Sequence, residues 1–327
     1  MDLFTHVLVA YLVTFGIVGF QPSYLAAGAL AGGLPDADAL FWPLARRFPL
    51  LQHHGITHSF FGVTVVAIVG AVLGPLIAPG SALIYFVVME VGGTCHILQD
   101  GFTHFSVPPL APFSDRRLEI DADRAINFVT MAVSIASFYL LLVVERNHVP
   151  FGTYLATVYA LMAFFAAYFA IRLWGRFRIG RYRRAVGPNA VPVPTTNPFH
   201  WVILSEEQGD GRVRTTWARY TLGRGLVDGP YSVEAPLAVP PHTGAPANAR
   251  EALEWSYAPA RAQSRVLAMT YHFGEAFQSA AGAWVAVWYS LEFTAFGRAS
   301  AVRVSFPADG GAPQVRSTFY KPTHRAV

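Results

Sequence analysis

Five apolar stretches of about bilayer length dominate the first half of this chain, at residues 3–20, 59–79, 81–99, 125–144 and 151–174. A helix needs about 20 apolar residues to cross a hydrocarbon core about 30 Å thick, so each stretch predicts a spanning helix. Residues 22–34, shorter and rich in Ala and Gly, read as a return helix that makes a hairpin with the first. The N-terminus has no basic n-region and no cleavage site follows it, so the first stretch is expected to be retained.

The second half differs. Overall the chain of 327 residues is 53% hydrophobic and 13% charged, about half the usual charged share of roughly 25%, but residues 176–327 have ordinary globular composition. Segments 201–204, 213–221, 265–271, 283–293 and 301–306 carry strand-like alternation with β-branched and aromatic residues, and Gly-Asp-Gly and Asp-Gly-Gly turns fall at 209–211 and 309–311. Residues 235–262 read as a long loop with one short helix. The expected fold is an α-helical membrane domain over 1–185, with about five spanning helices plus a short N-terminal return helix. A linker over 186–200 leads to a small β-rich soluble domain over 201–327.

Exclusions follow from composition. A single cysteine, Cys95, leaves no intramolecular disulfide framework and no cysteine-based zinc pattern. The formal charge of +4 is no nucleic-acid signature, because much of the arginine forms one juxtamembrane block, Arg172, Arg176, Arg178, Arg181, Arg183 and Arg184. Lysine and arginine favour the cytoplasmic side, so that block, Arg116, Arg117 and Arg124, and Arg46 and Arg47 all predict inner loops.

With that topology the ionisable residues gather at one membrane face. His96 and Asp100 are spaced i, i+4 and share a side of the helix ending there; His104 extends the stripe if Gly101 does not end the helix. His53, His54 and His58 precede the next helix, with Thr57 or Ser59 as its cap. Asp36 and Asp38 end the return helix, and His6 lies one turn into the first. Each group alone has a local explanation: a hydrogen bond finishing a helix, histidines at headgroup depth, a turn aspartate. Together they suggest one divalent-metal site, because ionisable groups at the edge of hydrocarbon are costly unless paired or ligated. A mixed histidine and carboxylate donor set suits Zn²⁺, Mn²⁺ or Fe²⁺, and zinc is the leading expectation. Ser114, Arg116 and Arg117 lie on the next inner loop, where arginine forks suit phosphate oxygens.

Four ordered motifs then resemble a known group. Pro35-Asp36-x-Asp38, His53-x-Gly55-x-Thr57-His58-Ser59, His96-x-x-x-Asp100-x-x-Thr103 and Pro112-Phe113-Ser114-x-x-Arg117 look like the YdjM/YbcI/YfhP group, predicted membrane-bound metal-dependent hydrolases. The resemblance covers roughly residues 1–125. It implies a divalent-metal site on inner-membrane helices, distantly similar to zinc-dependent phospholipase C. By motif position His6, Asp36, Asp38, His53, His58, His96 and Asp100 inherit ligand candidacy. The family often has Arg where His54 stands.

The expected activity is hydrolysis of a phosphoester, or of a lipid-linked substrate, at the cytoplasmic face. Asp36 or Asp38 would accept the proton, and His54, His104, Ser114, Arg116 and Arg117 would contact substrate. Membrane lipids are the expected surroundings, and any soluble partner of the β domain is unidentified. The alternative is a scaffold in which a structural metal staples the helices while the β domain binds that partner.

Overall fold

The computed structural model describes residues 1–41, 55–103, 106–124, 127–147, 149–237, 244–263, 272–295 and 298–321. His53, His54, His104 and the predicted strand 265–271 lie outside these residues. The chain divides into two compact units, Met1–Trp174 and Gly175–Val327.

The first unit is helical. α1 (Leu3–Val18) and α2 (Pro22–Gly33) form the expected hairpin, α2 opening on a proline at its first turn. Two 3₁₀ segments, Pro35–Phe41 and Ile56–His58, precede α3 (Phe60–Ile77), α4 (Ala82–Gly101), α5 (Phe128–Arg146) and α6 (Phe151–Ile179). Among the described residues, α3, α4, α5 and α6 are the four helices long and apolar enough to cross a membrane. α1, expected to span, is apolar but has only 16 residues. Leu76, Ile77, Leu83 and Tyr139 are exposed, as they should be where the solvent is lipid.

Close packing at glycine brings the ligand-bearing helices together. A Cβ on Gly92 of α4 would lie 2.2 Å from the Gly28 carbonyl oxygen of α2. One on Gly32 would lie 2.4 Å from the Ala10 methyl of α1. Small residues let membrane helices approach backbone to backbone, and here they seat α2 against α1 on one side and α4 on the other.

The second unit begins within α6 and continues through α7 (Arg183–Val186). Its first antiparallel meander is β1 (Val191–Pro194), β2 (His200–Gly209), β3 (Arg212–Thr221) and β4 (Gly225–Pro236). After α8 (Ala249–Gln263) comes the second meander: β5 (His272–Gln278), β6 (Trp284–Ala295), β7 (Arg298–Phe306) and β8 (Gln314–Tyr320). Val213, Thr215 and Trp217 alternate inward on β3, and both sheets share one core with the Ala252, Leu253, Tyr257 and Ala260 face of α8. Residues 191–194, placed by the sequence in a Pro-rich linker, pair with β2 instead. β4 escaped the sequence pattern because its alternation breaks at a bulge opposite Trp217–Arg219, where Gly229 adopts φ +90°.

Candidate metal centre

Four side chains from three segments converge at one end of the helical unit. Asp36 comes from the 3₁₀ turn after α2, His58 from the 3₁₀ turn before α3, and His96 and Asp100 from the last turns of α4. One donor atom from each lies within 4.8 Å of the others. Local sequence explains the placement. Ser59 caps the N-terminus of α3, accepting the Gly62 N–H at 3.1 Å, so the helix starts just after His58. Thr57 does not cap it but donates to Asp38 Oδ2 at 2.7 Å. α4 ends at Gly101, so the i, i+4 pair occupies its final full turn.

The ring orientations are set from behind. His96 Nδ1 lies 2.7 Å from the Gly32 carbonyl oxygen, an acceptor, so this nitrogen carries the proton and Nε2 presents its lone pair to the cluster. His96 Nε2 is buried and makes no hydrogen bond, though Asp100 Oδ2 is 3.2 Å away. Behind His58, Asp38 Oδ2 approaches Nδ1 to 3.3 Å. Nε2 of that ring faces Asp36 Oδ1 at 3.6 Å and Asp100 Oδ2 at 3.4 Å. His96 Nε2 to Asp36 Oδ1 is 3.7 Å.

These separations fit a divalent ion. Tetrahedral coordination at 2.0–2.2 Å requires ligand atoms about 3.3–3.6 Å apart, close to the four distances of 3.2–3.7 Å found here. Two neutral imidazoles and two carboxylates supply the −2 charge that a dication neutralises. Backbone carbonyl and carboxylate partners behind the imidazoles are the supports metal-bound histidines normally have. His58, His96 and Asp100 are buried, whereas the Asp36 side chain is 22% exposed and forms the open edge.

The electrostatics agree with a site built for positive charge. Burial alone would lower the His58 pKa, but the Asp36 and Asp38 carboxylates beside it, with Asp100, push it up to about 9. Burial would raise Asp36, yet contact with His58 and the field of His96 hold it below its usual value. In the absence of metal, a proton on His58 partly fills the cation's role.

The remaining sequence candidates occupy distinct positions. Asp38 stands behind His58 rather than among the four convergent donors. His6 stacks on His96 with ring centroids 3.8 Å apart, and its Nε2 lies 3.1 Å from Asp100 Oδ1, which the Met1 amine also contacts. Ser114, Arg116 and Arg117 lie on the segment between α4 and α5, both arginines exposed. Ser114 Oγ accepts the Arg116 N–H, and Arg117 Nε donates to Ser106 Oγ at 3.0 Å.

Sequence reasoning missed one buried network. Arg172, counted above among the juxtamembrane arginines, is fully buried and pairs with Asp123 at 2.7 Å. Tyr168 donates to Asp123 at 2.5 Å, and Asn127 Nδ2 donates to both Asp123 and Tyr168. Asp123 thus binds this arginine, while Asn127 caps α5. The signal available was an arginine inside an apolar run, which calls for a partner.

No curated protein and no solved structure matches this chain. The profile of the family described as YdjM inner membrane protein matches residues 1–179, more than half of the chain and all four members of the cluster. With four apolar helices of spanning length and a buried Asp/His cluster able to hold a metal ion, this is a membrane protein, and it belongs to the YdjM inner membrane protein family.

Proposed function

We propose that the protein is a membrane-bound metal-dependent hydrolase acting on a phosphoester or a lipid-linked substrate at the cytoplasmic face of the membrane. The observation that carries this reading is the cluster's geometry: four convergent donors, three of them buried and one, Asp36, open at the edge. Asp36, His58, His96 and Asp100 hold the ion, with zinc preferred over manganese or iron for this donor set. A divalent ion there supplies Lewis-acid polarisation of a phosphoryl oxygen and a nucleophile at neutral pH.

The chain's own groups do the rest. Asp36, through the carboxylate oxygen that does not hold the ion, or Asp38 accepts the proton of the attacking water. Asp38 positions His58, and His6 supports Asp100 from the far side. Arg116 and Arg117 offer charge to an anionic group from the neighbouring loop. Those arginines, with Arg176, Arg178, Arg181, Arg183 and Arg184, support a cytoplasmic location for the site and the β domain by the positive-inside rule.

Metal analysis of the intact protein tests the reading. Wild type should carry stoichiometric divalent metal and hydrolyse a phosphoester, and His96→Ala or Asp100→Ala should lose both. Protein without metal, or variants with unchanged metal content, would reject it. One observation favours the alternative of a structural metal and a partner-binding β domain: a site closed by four protein ligands is the usual structural arrangement. X-ray absorption separates the two, since a catalytic ion shows a solvent oxygen that a phosphonate displaces and a stapling ion does not.

A further inference from the structure

An apolar trough runs toward the residues next in the chain to two members of the metal cluster. α2 and α3 both pack on α4, and between them a cavity of about 270 Å³ opens beside Pro35 and Thr57, the chain neighbours of Asp36 and His58. Leu34, Val65, Val66 and Met89 line this cavity and also a second of about 620 Å³, which continues past Val69 and Leu73 to Ile77. The two therefore adjoin along a shared wall. Along α3 from Phe61 to Ile77, sixteen residue steps at 1.5 Å, the trough runs about 24 Å. That exceeds one hydrocarbon leaflet, about 15 Å deep.

Glycines on α3 keep the trough open. A Cβ on Gly70 would lie 1.8 Å from Met89 Sδ, and one on Gly74 would lie 2.6 Å from the Tyr85 ring. α3 thus sinks onto α4 and leaves a concave channel on its α2 side. A flat apolar surface would need no explanation in a membrane helix. This one is concave and ends beside Pro35 and Thr57, next in the chain to Asp36 and His58.

We propose that the trough holds one hydrocarbon tail of a lipid phosphoester whose phosphate lies at the metal cluster. The inference rests on the phosphoester reading above and names its substrate class. Charge complementarity fixes the polarity of binding, with the anionic head drawn toward the cation site and the exposed Arg116 and Arg117 of the next loop and the tail laid along Val65, Val69 and Leu73. A soluble phosphoester would use the metal and leave the trough unused.

The test is binding of two non-hydrolysable probes, hexadecylphosphonate and butylphosphonate, to the full-length zinc-loaded protein in detergent. Hexadecylphosphonate should bind wild type at least about tenfold more tightly, a modest gain for twelve extra methylenes that micelles also solvate. Val69→Trp fills the trough from a position 51% exposed, so it should cancel that gain while leaving butylphosphonate affinity and zinc content unchanged. Leu73→Trp, one turn farther from the cluster, provides a second variant should the first lose zinc. Equal affinity for both probes in wild type, or an undiminished hexadecyl preference in the tryptophan variants, overturns the trough but leaves the phosphoester reading standing. Binding of either probe that is indifferent to zinc removal overturns both.

Discussion

At the residue scale, the histidine cluster depends on the atoms behind it. Asp38 touches His58 Nδ1 and is itself held by Thr57, so Asp38→Asn should preserve the fold yet weaken metal binding by about 10- to 100-fold, measured by competition with a chelator. Proton competition gives a second expectation. Metal requires the His58 lone pair, and in the metal-free cluster that ring stays protonated up to about pH 9. Apparent affinity should therefore rise with pH by about tenfold per unit below pH 9 and level off above it, with about one proton released per ion. Calorimetry in buffers of different ionisation enthalpy measures that proton, and a pH-independent affinity would contradict the scheme. The i, i+4 pair His96 and Asp100 was legible in the sequence because helical spacing alone aligns it. The position of Asp38 behind His58 was not, since two aspartates two residues apart look alike until Thr57 selects one.

At the element scale, the helices were legible as apolar runs, but their contacts were not. The Gly28–Gly92 approach depends on which faces meet, and hydropathy carries no such information. Gly92→Ala must push α4 away from a backbone oxygen, costing about 1–3 kcal/mol and stretching the His96–Gly32 contact. Gly152→Ala, with open space around its Cβ, should be neutral. Thermal unfolding and zinc content together read both variants. The Asp123–Arg172 pair was hidden for a different reason, because each residue had a sufficient local explanation and the partners lie 49 positions apart, 172 minus 123. Arg172→Ala should destabilise the helical unit by about 3–5 kcal/mol by leaving a buried carboxylate uncompensated, and Asp123→Asn should recover part of that loss. A double variant whose loss equals the sum of the two single losses would show the pair to be uncoupled.

At the scale of the whole molecule, the change from helix to sheet was plain from composition, because alternating β-branched and aromatic residues replace apolar runs after residue 185. The extent of α8 was less visible. Ala and Pro dominate its neighbourhood, and Pro259 within the helix argues against it locally, yet the Ala252, Leu253, Tyr257 and Ala260 stripe packs against both sheets. Sidedness gives the prediction proper to this scale. In a Cys95→Ser background, cysteine placed at Arg116 should react with a membrane-impermeant maleimide only in inverted vesicles, and cysteine placed at Asn147 only in spheroplasts. The reverse pattern would move the cluster to the other side of the membrane.

The contact from His96 Nδ1 to the Gly32 carbonyl ties a ring of the candidate ion site to the main chain of a different helix. Cation occupancy and the seating of that hairpin are thereby thermodynamically linked, and an ion present at a thousandfold excess over its dissociation constant should add about 4 kcal/mol to the resistance of the bundle to unfolding. Starving the membrane of metal would then loosen the protein, so the melting temperature becomes a gauge of cation supply.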